Sequence, residues 1–155
     1  MEPNQLQNML DYRNENIISR FTDQFNIDET SAELIFADTL RFMYLCQLPG
    51  IFIPDHLLII DEMWHNFILF TKEYHQYCQT HFGRYFHHLP ASKAEKEKQR
   101  LANEADPEAA RLEFSKKLSY VVSCAYDHLG AEVTHRWFRE YPVTYSKTKI
   151  NELRR

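Results

Sequence analysis

The chain has 155 residues, a formal net charge of −4 and a pI near 6.0. It carries no global basic excess to hold a phosphate backbone, so no nucleic-acid partner is expected. With only 3 Gly and 6 Pro beside 44% hydrophobic residues, it fits neither a disordered chain nor a turn-rich all-β fold. The expectation is one all-α domain, a single compact body of about five or six helices.

Cysteines 46, 78 and 124 are odd in number and widely spaced, which is no disulfide framework. The opening Met1-Glu2-Pro3-Asn4-Gln5 lacks a basic stretch followed by an apolar run, so no signal peptide is expected. No uninterrupted apolar run reaches ~18 residues, so membrane insertion is not expected either. These features point to a cytoplasmic protein, or to one exported without a classical signal.

In chain order, residues 1–13 read as a flexible N-terminus and 14–145 as the helical domain. Ile17, Ile18, Phe21 and Phe25 recur at helical spacing. Thr30-Ser31-Ala32-Glu33 has the form of a capping box, with Thr30 as N-cap, and the helix after it should stop before Pro49-Gly50. Pro54 suits the first turn of the next helix, whose apolar residues surround it almost completely. A bend near Thr71 opens a second helix, which should stop at Gly83.

Residues 84–92 read as a loop, and the charged stretch Lys93 to Ala105 as a solvated helix face or linker. Asp106-Pro107 opens a helix whose apolar face runs from Phe114 to Leu129, ended by Gly130. This helix and the one over 55–82 are expected to form the centre of the core. Val133, Trp137 and Phe138 suggest a short last helix, and 146–155 a polar, basic tail.

Chemistry concentrates in Asp61 to Pro90. Of 8 histidines, His56, His65, His75, His81, His87 and His88 fall in or beside this segment, with Cys78 among them. Asp61 and His65, four apart, stand one above the other on a helix face. Both can ligate one ion, or Asp61 can orient the His65 ring. His87-His88 comes after the Gly83 cap, so a loop can deliver one ring to that face. Oxygen and imidazole donors suit Zn, Fe, Mn, Ni or Cu(II), and three protein ligands leave a coordination position open. The expected metal residues are therefore Asp61, His65, His87 and His88. Cys78 joins them only if the helix breaks near Thr71, because thirteen residues on a straight helix point it elsewhere. His56, His75 and His81 read as surface residues. A zincin pair and a nucleophile elbow are both missing.

The run Ile60-Asp61-Glu62-Met63-Trp64-His65-Asn66-Phe67-Ile68-Leu69, then Thr71, Tyr74 and Cys78, then Phe82-Gly83-Arg84-Tyr85 and His87-His88-Leu89-Pro90 resembles bacterial members of the glycine-rich domain-containing protein-like family. The family pattern is D-x-x-W-H-x-x-I-L, T-x-x-Y-x-x-x-C and F-G-x-x-x-H-H-x-P, and the resemblance spans about residues 34–140. It implies that Asp61, Trp64, His65, Tyr74, Cys78, Gly83, His87, His88 and Pro90 matter together. Trp64, Tyr74, Gly83 and Pro90 are expected to be structural. The resemblance implies no reaction.

The leading expectation is a small soluble helical protein with a divalent-metal site. One alternative is a non-enzymatic domain whose His-His-Leu-Pro loop is read by a partner protein. Another is a Cys-dependent enzyme or host-interacting protein.

Overall fold

The computed structural model describes all 155 residues and is all-α, with no strand beyond one isolated bridge between Phe25 and Arg154. The elements are α1 (Gln5–Leu10), α2 (Glu15–Gln24), α3 (Glu29–Leu45), a 3₁₀ turn (Asp55–Leu57), α4 (Leu58–Leu69), α5 (Thr71–Phe82), α6 (Lys93–Ala105), α7 (Pro107–Leu129), α8 (Ala131–His135), a π segment (Arg136–Glu140), α9 (Tyr141–Thr144) and α10 (Lys147–Leu153). Helices α2 to α5 and α7 are the ones that periodicity marks; α6 forms where the sequence reads as a solvated helix face or a linker, and the short pieces add to them. No helix is long and apolar enough to cross a membrane.

The core is centred on α3 against α4. Ile35, Leu40, Phe42, Met43 and Leu45 of α3 meet Ile59, Ile60, Met63, Trp64 and Phe67 of α4, all buried. Phe42 links two tryptophans, 6.2 Å from Trp64 and 5.6 Å from Trp137. Each well-placed aromatic pair adds roughly 1 kcal/mol beyond its buried area. Buried Asn66 ties α4 to α2: its amide donates to the Ile17 carbonyl at 2.9 Å and its oxygen accepts from Arg20 at 2.7 Å.

Several expectations about this frame are corrected. Helix α7 is not central: only Val121 and Ala125 are buried in it, while Leu112, Phe114, Tyr120 and Tyr126 are exposed. Its apolar face is real, but part of it packs on α6, which buries no residue at all, and part on the irregular segment before the 3₁₀ turn. Helix α3 is capped two residues before Thr30, because Asp28 takes the N-cap and accepts the Ser31 N–H at 2.7 Å. Hydrogen bonding from the Ser31 side chain and N–H holds the Asp28 carboxyl below its ordinary pKa. The bend at Thr71 exists, but its hinge is Phe70, and no side chain caps α5.

The N-terminus, expected to be flexible, is a docked helix, and so is the polar, basic C-terminal tail. Met9 of α1 is fully buried, its carbonyl accepts the Tyr77 hydroxyl at 3.0 Å, and Gln5 donates to the His81 carbonyl at 2.7 Å. At the other end Ile150 is buried, and the Leu153 carbonyl accepts the Asn26 N–H at 2.7 Å. A few apolar anchors and main-chain bonds therefore order segments whose composition is polar.

A buried carboxylate joins the C-terminal helices to α3. Asp38 accepts from Arg136 Nε at 2.7 Å and Nη2 at 2.6 Å, from Arg41 Nη1 at 2.7 Å and from the Tyr141 hydroxyl at 2.5 Å. Arg136 and Tyr141 are five residues apart, which on an α-helix separates them by well over a third of a turn. The π segment removes that offset: the Tyr141 N–H bonds the Arg136 carbonyl, so both side chains meet one carboxylate. Pro142 comes next, and its missing N–H suits a ladder already shifted. Hydrogen bonding to Asp38 pushes the Arg136 guanidinium up in pKa, and burial does the same to the Tyr141 phenol.

Replacing one member leaves the rest of a buried ionic group uncompensated. Arg136→Met is therefore expected to destabilise the fold by about 3 kcal/mol, read as a lower urea midpoint with two-state unfolding. The double variant Asp38→Asn/Arg136→Met should lose less than the sum of the single changes. Strict additivity would show that the network is not a unit.

Candidate metal centre

Helix α4 presents Asp61 and His65 on one face, as their spacing requires. The Asp61 main-chain carbonyl lies 2.8 Å from His65 Nδ1. A carbonyl only accepts, so that nitrogen is the donor, and in the neutral ring Nε2 is then the one with a lone pair. The same Nδ1 stands 3.4 Å from Asp61 Oδ2. Ligating histidines are commonly oriented in this way by a main-chain oxygen.

The third member arrives from the loop after α5. Gly83 ends that helix at φ +70°, a left-handed conformation that a side chain would strain. The chain then turns back across α4. His88 Nε2 sits 2.8 Å from Asp61 Oδ1, and its ring stacks on Trp64 with centroids 4.2 Å apart and planes 10° apart. The His65 and His88 rings are 4.8 Å apart. Asp61, His65 and His88 each offer one candidate ligand atom, and these three atoms lie within 4.8 Å of one another. The side chains are accessible to different degrees: 33% for Asp61, 58% for His65 and 14% for His88.

A hydrogen-bond relay fixes the loop. The Trp64 indole N–H donates to the Tyr74 hydroxyl at 3.0 Å, and that hydroxyl donates to the Phe86 carbonyl at 2.5 Å. Trp64, Tyr74 and Phe86 are all buried. Burial pushes the Tyr74 phenol up in pKa, which keeps it a donor. The residues expected to be structural thus act on the site: Trp64 and Tyr74 anchor the loop, Trp64 is also the bed for His88, and Gly83 makes the turn.

The other expected residues lie elsewhere. His87 is exposed and packs edge-on to Tyr85, with ring centroids 4.9 Å apart. Alternate residues of an extended loop face opposite ways, so of the His87-His88 pair only His88 joins the cluster. Cys78 is fully buried, and the break at Phe70 does not bring it to Asp61. Burial pushes its thiol up in pKa, leaving it neutral. Pro90 is exposed beyond the turn. Among the remaining histidines His75 is exposed, as expected. His56 and His81 are partly buried, and burial lowers the His81 pKa.

The surroundings of the cluster hold a feature that motif spacing does not reveal. A groove of about 660 Å³ adjoins Asp61 and His88, walled by Phe42, Ile51, Phe52, Ile53, Phe86 and Leu89. Its one sequence signal is the triplet Ile51-Phe52-Ile53, an apolar run between Gly50 and Pro54 that no helix absorbs. A more polar hollow of about 520 Å³ touches Asp61 from the side of α10.

A model of the UCP032817-like family matches residues 8–136. The chain belongs to that family. The matched span of the UCP032817-like family runs from within α1 through α8 to the first residue of the π segment, so it reaches further toward the N-terminus than the motif resemblance does. No curated protein and no solved structure matches the chain.

Tyr74→Phe removes both bonds of the relay and leaves the Trp64 N–H and the Phe86 carbonyl buried without partners. A loss of about 2–3 kcal/mol is expected in urea unfolding. Amide exchange should also quicken across residues 84–90 before global unfolding. Unchanged exchange there would show that the relay does not hold the loop.

Proposed function

We propose that the protein binds one divalent transition metal through Asp61, His65 and His88. The supporting observation is the convergence of their ligating atoms within 4.8 Å, from a helix face and a returning loop. Two donors each ~2.1 Å from one ion lie roughly 3.0–3.4 Å apart for bond angles between octahedral and tetrahedral. The 2.8 Å between His88 Nε2 and Asp61 Oδ1 is close to that spacing before any ion enters. Ion binding replaces a proton shared between the two groups, with little movement of either.

One carboxylate and two imidazoles suit Zn, Fe, Mn, Ni or Cu. Three protein ligands leave at least one position for water or a ligand, and the exposure of His65 gives solvent a path to it. An ion so held polarises a bound oxygen or lowers the pKa of a bound water, chemistry that serves hydrolysis or redox. The proposal places the protein in the cytoplasm and takes the motif of the bacterial glycine-rich domain-containing protein-like family as a metal-binding signature. Its rival is a partner-protein domain in which the same motif only packs. The exposed apolar residues Leu101, Leu112 and Phe114 of the α6–α7 hairpin are the observation in its favour. A cysteine nucleophile has less support, since Cys78 is buried and neutral.

Metal analysis of protein purified without a His tag should give one ion per chain. His65→Ala and His88→Ala should stay folded and lose it, while His87→Ala should keep it. Saturating ion should raise the melting temperature of the metal-free wild type, by a stabilisation of about 2.7 kcal/mol at a hundredfold excess over Kd. A wild type that carries no metal and gains no stability from Zn, Fe, Mn, Ni or Cu would refute the proposal.

A further inference from the structure

We infer that the groove beside the metal centre receives the apolar body of a small ligand whose oxygen-donor, anionic head reaches the ion. The inference rests on the metal reading and adds the class of ligand to it. The groove lies between two irregular segments, residues 46–54 and 84–91, that pass each other without filling the space between them. Ile51, Phe52 and Ile53 are each only partly buried, and Leu89 is 78% exposed on the facing side.

These are apolar side chains held open to water beside a polar cluster. A volume of about 660 Å³ falls in the range of small-molecule sites, which pair apolar walls with a few convergent polar groups. The wall is also braced from outside. Phe52 packs on Phe114 of α7 with ring centroids 6.0 Å apart, and the Tyr120 hydroxyl donates to the Pro49 carbonyl at 2.8 Å. The otherwise peripheral helix α7 thus supports one side of the groove.

Charge selects the head group. The chain as a whole is acidic, at −4, yet Asp61 is the one carboxylate lining the groove, and it is hydrogen-bonded to His88. The other ionisable lining groups are Arg84, His87, His88, Tyr85 and Cys46. Arg84 is the fixed cation, held 5.8 Å over the Phe86 ring. Arg84 and the ion both favour an anionic oxygen head, and the apolar lining takes the body behind it. A cationic or purely apolar ligand gains only part of this surface.

Two hydroxamates with the same bidentate head separate the contributions. The Zn²⁺-loaded protein is titrated calorimetrically with acetohydroxamate and with benzohydroxamate. Benzohydroxamate is expected to bind about tenfold tighter, the order of gain for moving a small apolar group into a partly open pocket. Phe52→Ser should abolish most of that preference while leaving zinc stoichiometry and acetohydroxamate affinity unchanged. Leu89→Gln, a neutral change at a highly exposed position, should do the same. Equal affinities in a zinc-loaded wild type would overturn the groove and leave the metal site standing. A wild type that takes up no zinc would overturn both, and metal analysis distinguishes the two failures. Light scattering before the titration should give a monomer. A dimer dispersed by Leu89→Gln would assign the groove to a second copy of the chain and overturn the ligand.

Discussion

One hydroxyl, that of Tyr74, holds three separate parts of the molecule in mutual position. It accepts from Trp64 on α4, donates to Phe86 in the loop after α5, and itself sits on α5. Without it two buried polar groups have no partner, at roughly 1–3 kcal/mol each. The loop has no ladder of its own between Gly83 and Ser92. Its course is set by this relay, by the left-handed turn at Gly83 and by Phe86, which is buried against Phe82 at 4.6 Å. His88 lies two residues beyond Phe86, and a step of two returns an extended chain to the same face. The stack of His88 on Trp64 is a consequence of that anchoring. The position of the third candidate ligand is thus decided by residues that are not themselves donors.

This explains which parts of the centre are legible in the sequence. Asp61 and His65 are neighbours by helical geometry alone, and a spacing of four suffices to pair them. The return of a histidine to that pair comes from a helix stop and a short loop. Choosing between His87 and His88 needs the phase of the loop, which Phe86 and Tyr74 set through tertiary bonds that no local pattern encodes. A place for Cys78 in the cluster depends on a helix break near Thr71. The break is present, but α5 leaves it in a direction that buries the thiol beneath the loop. A hinge can be inferred from sequence more easily than the direction it imparts.

The fold shows the same division. Composition and periodicity suffice for an all-α chain and for helices α2 to α5 and α7, while α6 reads equally well as a linker. They misplace α7 because an amphipathic face states that something covers it, not that the core does. Here α6 covers part of it, and α6 is mostly charged, with Ala and Leu101 as its apolar residues. The ends mislead for the opposite reason. Residues 1–13 and 146–155 are polar overall, and single anchors such as Met9 and Ile150, with a few main-chain bonds, dock them. The network at Asp38 joins residues almost a hundred positions apart, and the π segment that aligns Arg136 with Tyr141 has no local signature beyond Pro142.

The two carboxylate clusters differ in access and in what their oxygens still offer. Asp38 is fully buried and its oxygens accept from Arg136, Arg41 and Tyr141, so no lone pair is offered to a ligand and no path leads to it. Such a group fixes a helix arrangement, and losing a partner there destabilises the fold. Asp61 is one-third exposed, its neighbours are imidazoles with lone pairs to offer, and one of them faces solvent. Its contacts are satisfied among themselves, yet a divalent ion can replace the shared protons without moving the helix. The rigidity that holds it comes from the hydrophobic bed of Trp64 and from the relay behind it, not from the charges. Structural strength and chemical availability are therefore assigned to different carboxylates, and only the accessible one borders a groove large enough for a ligand.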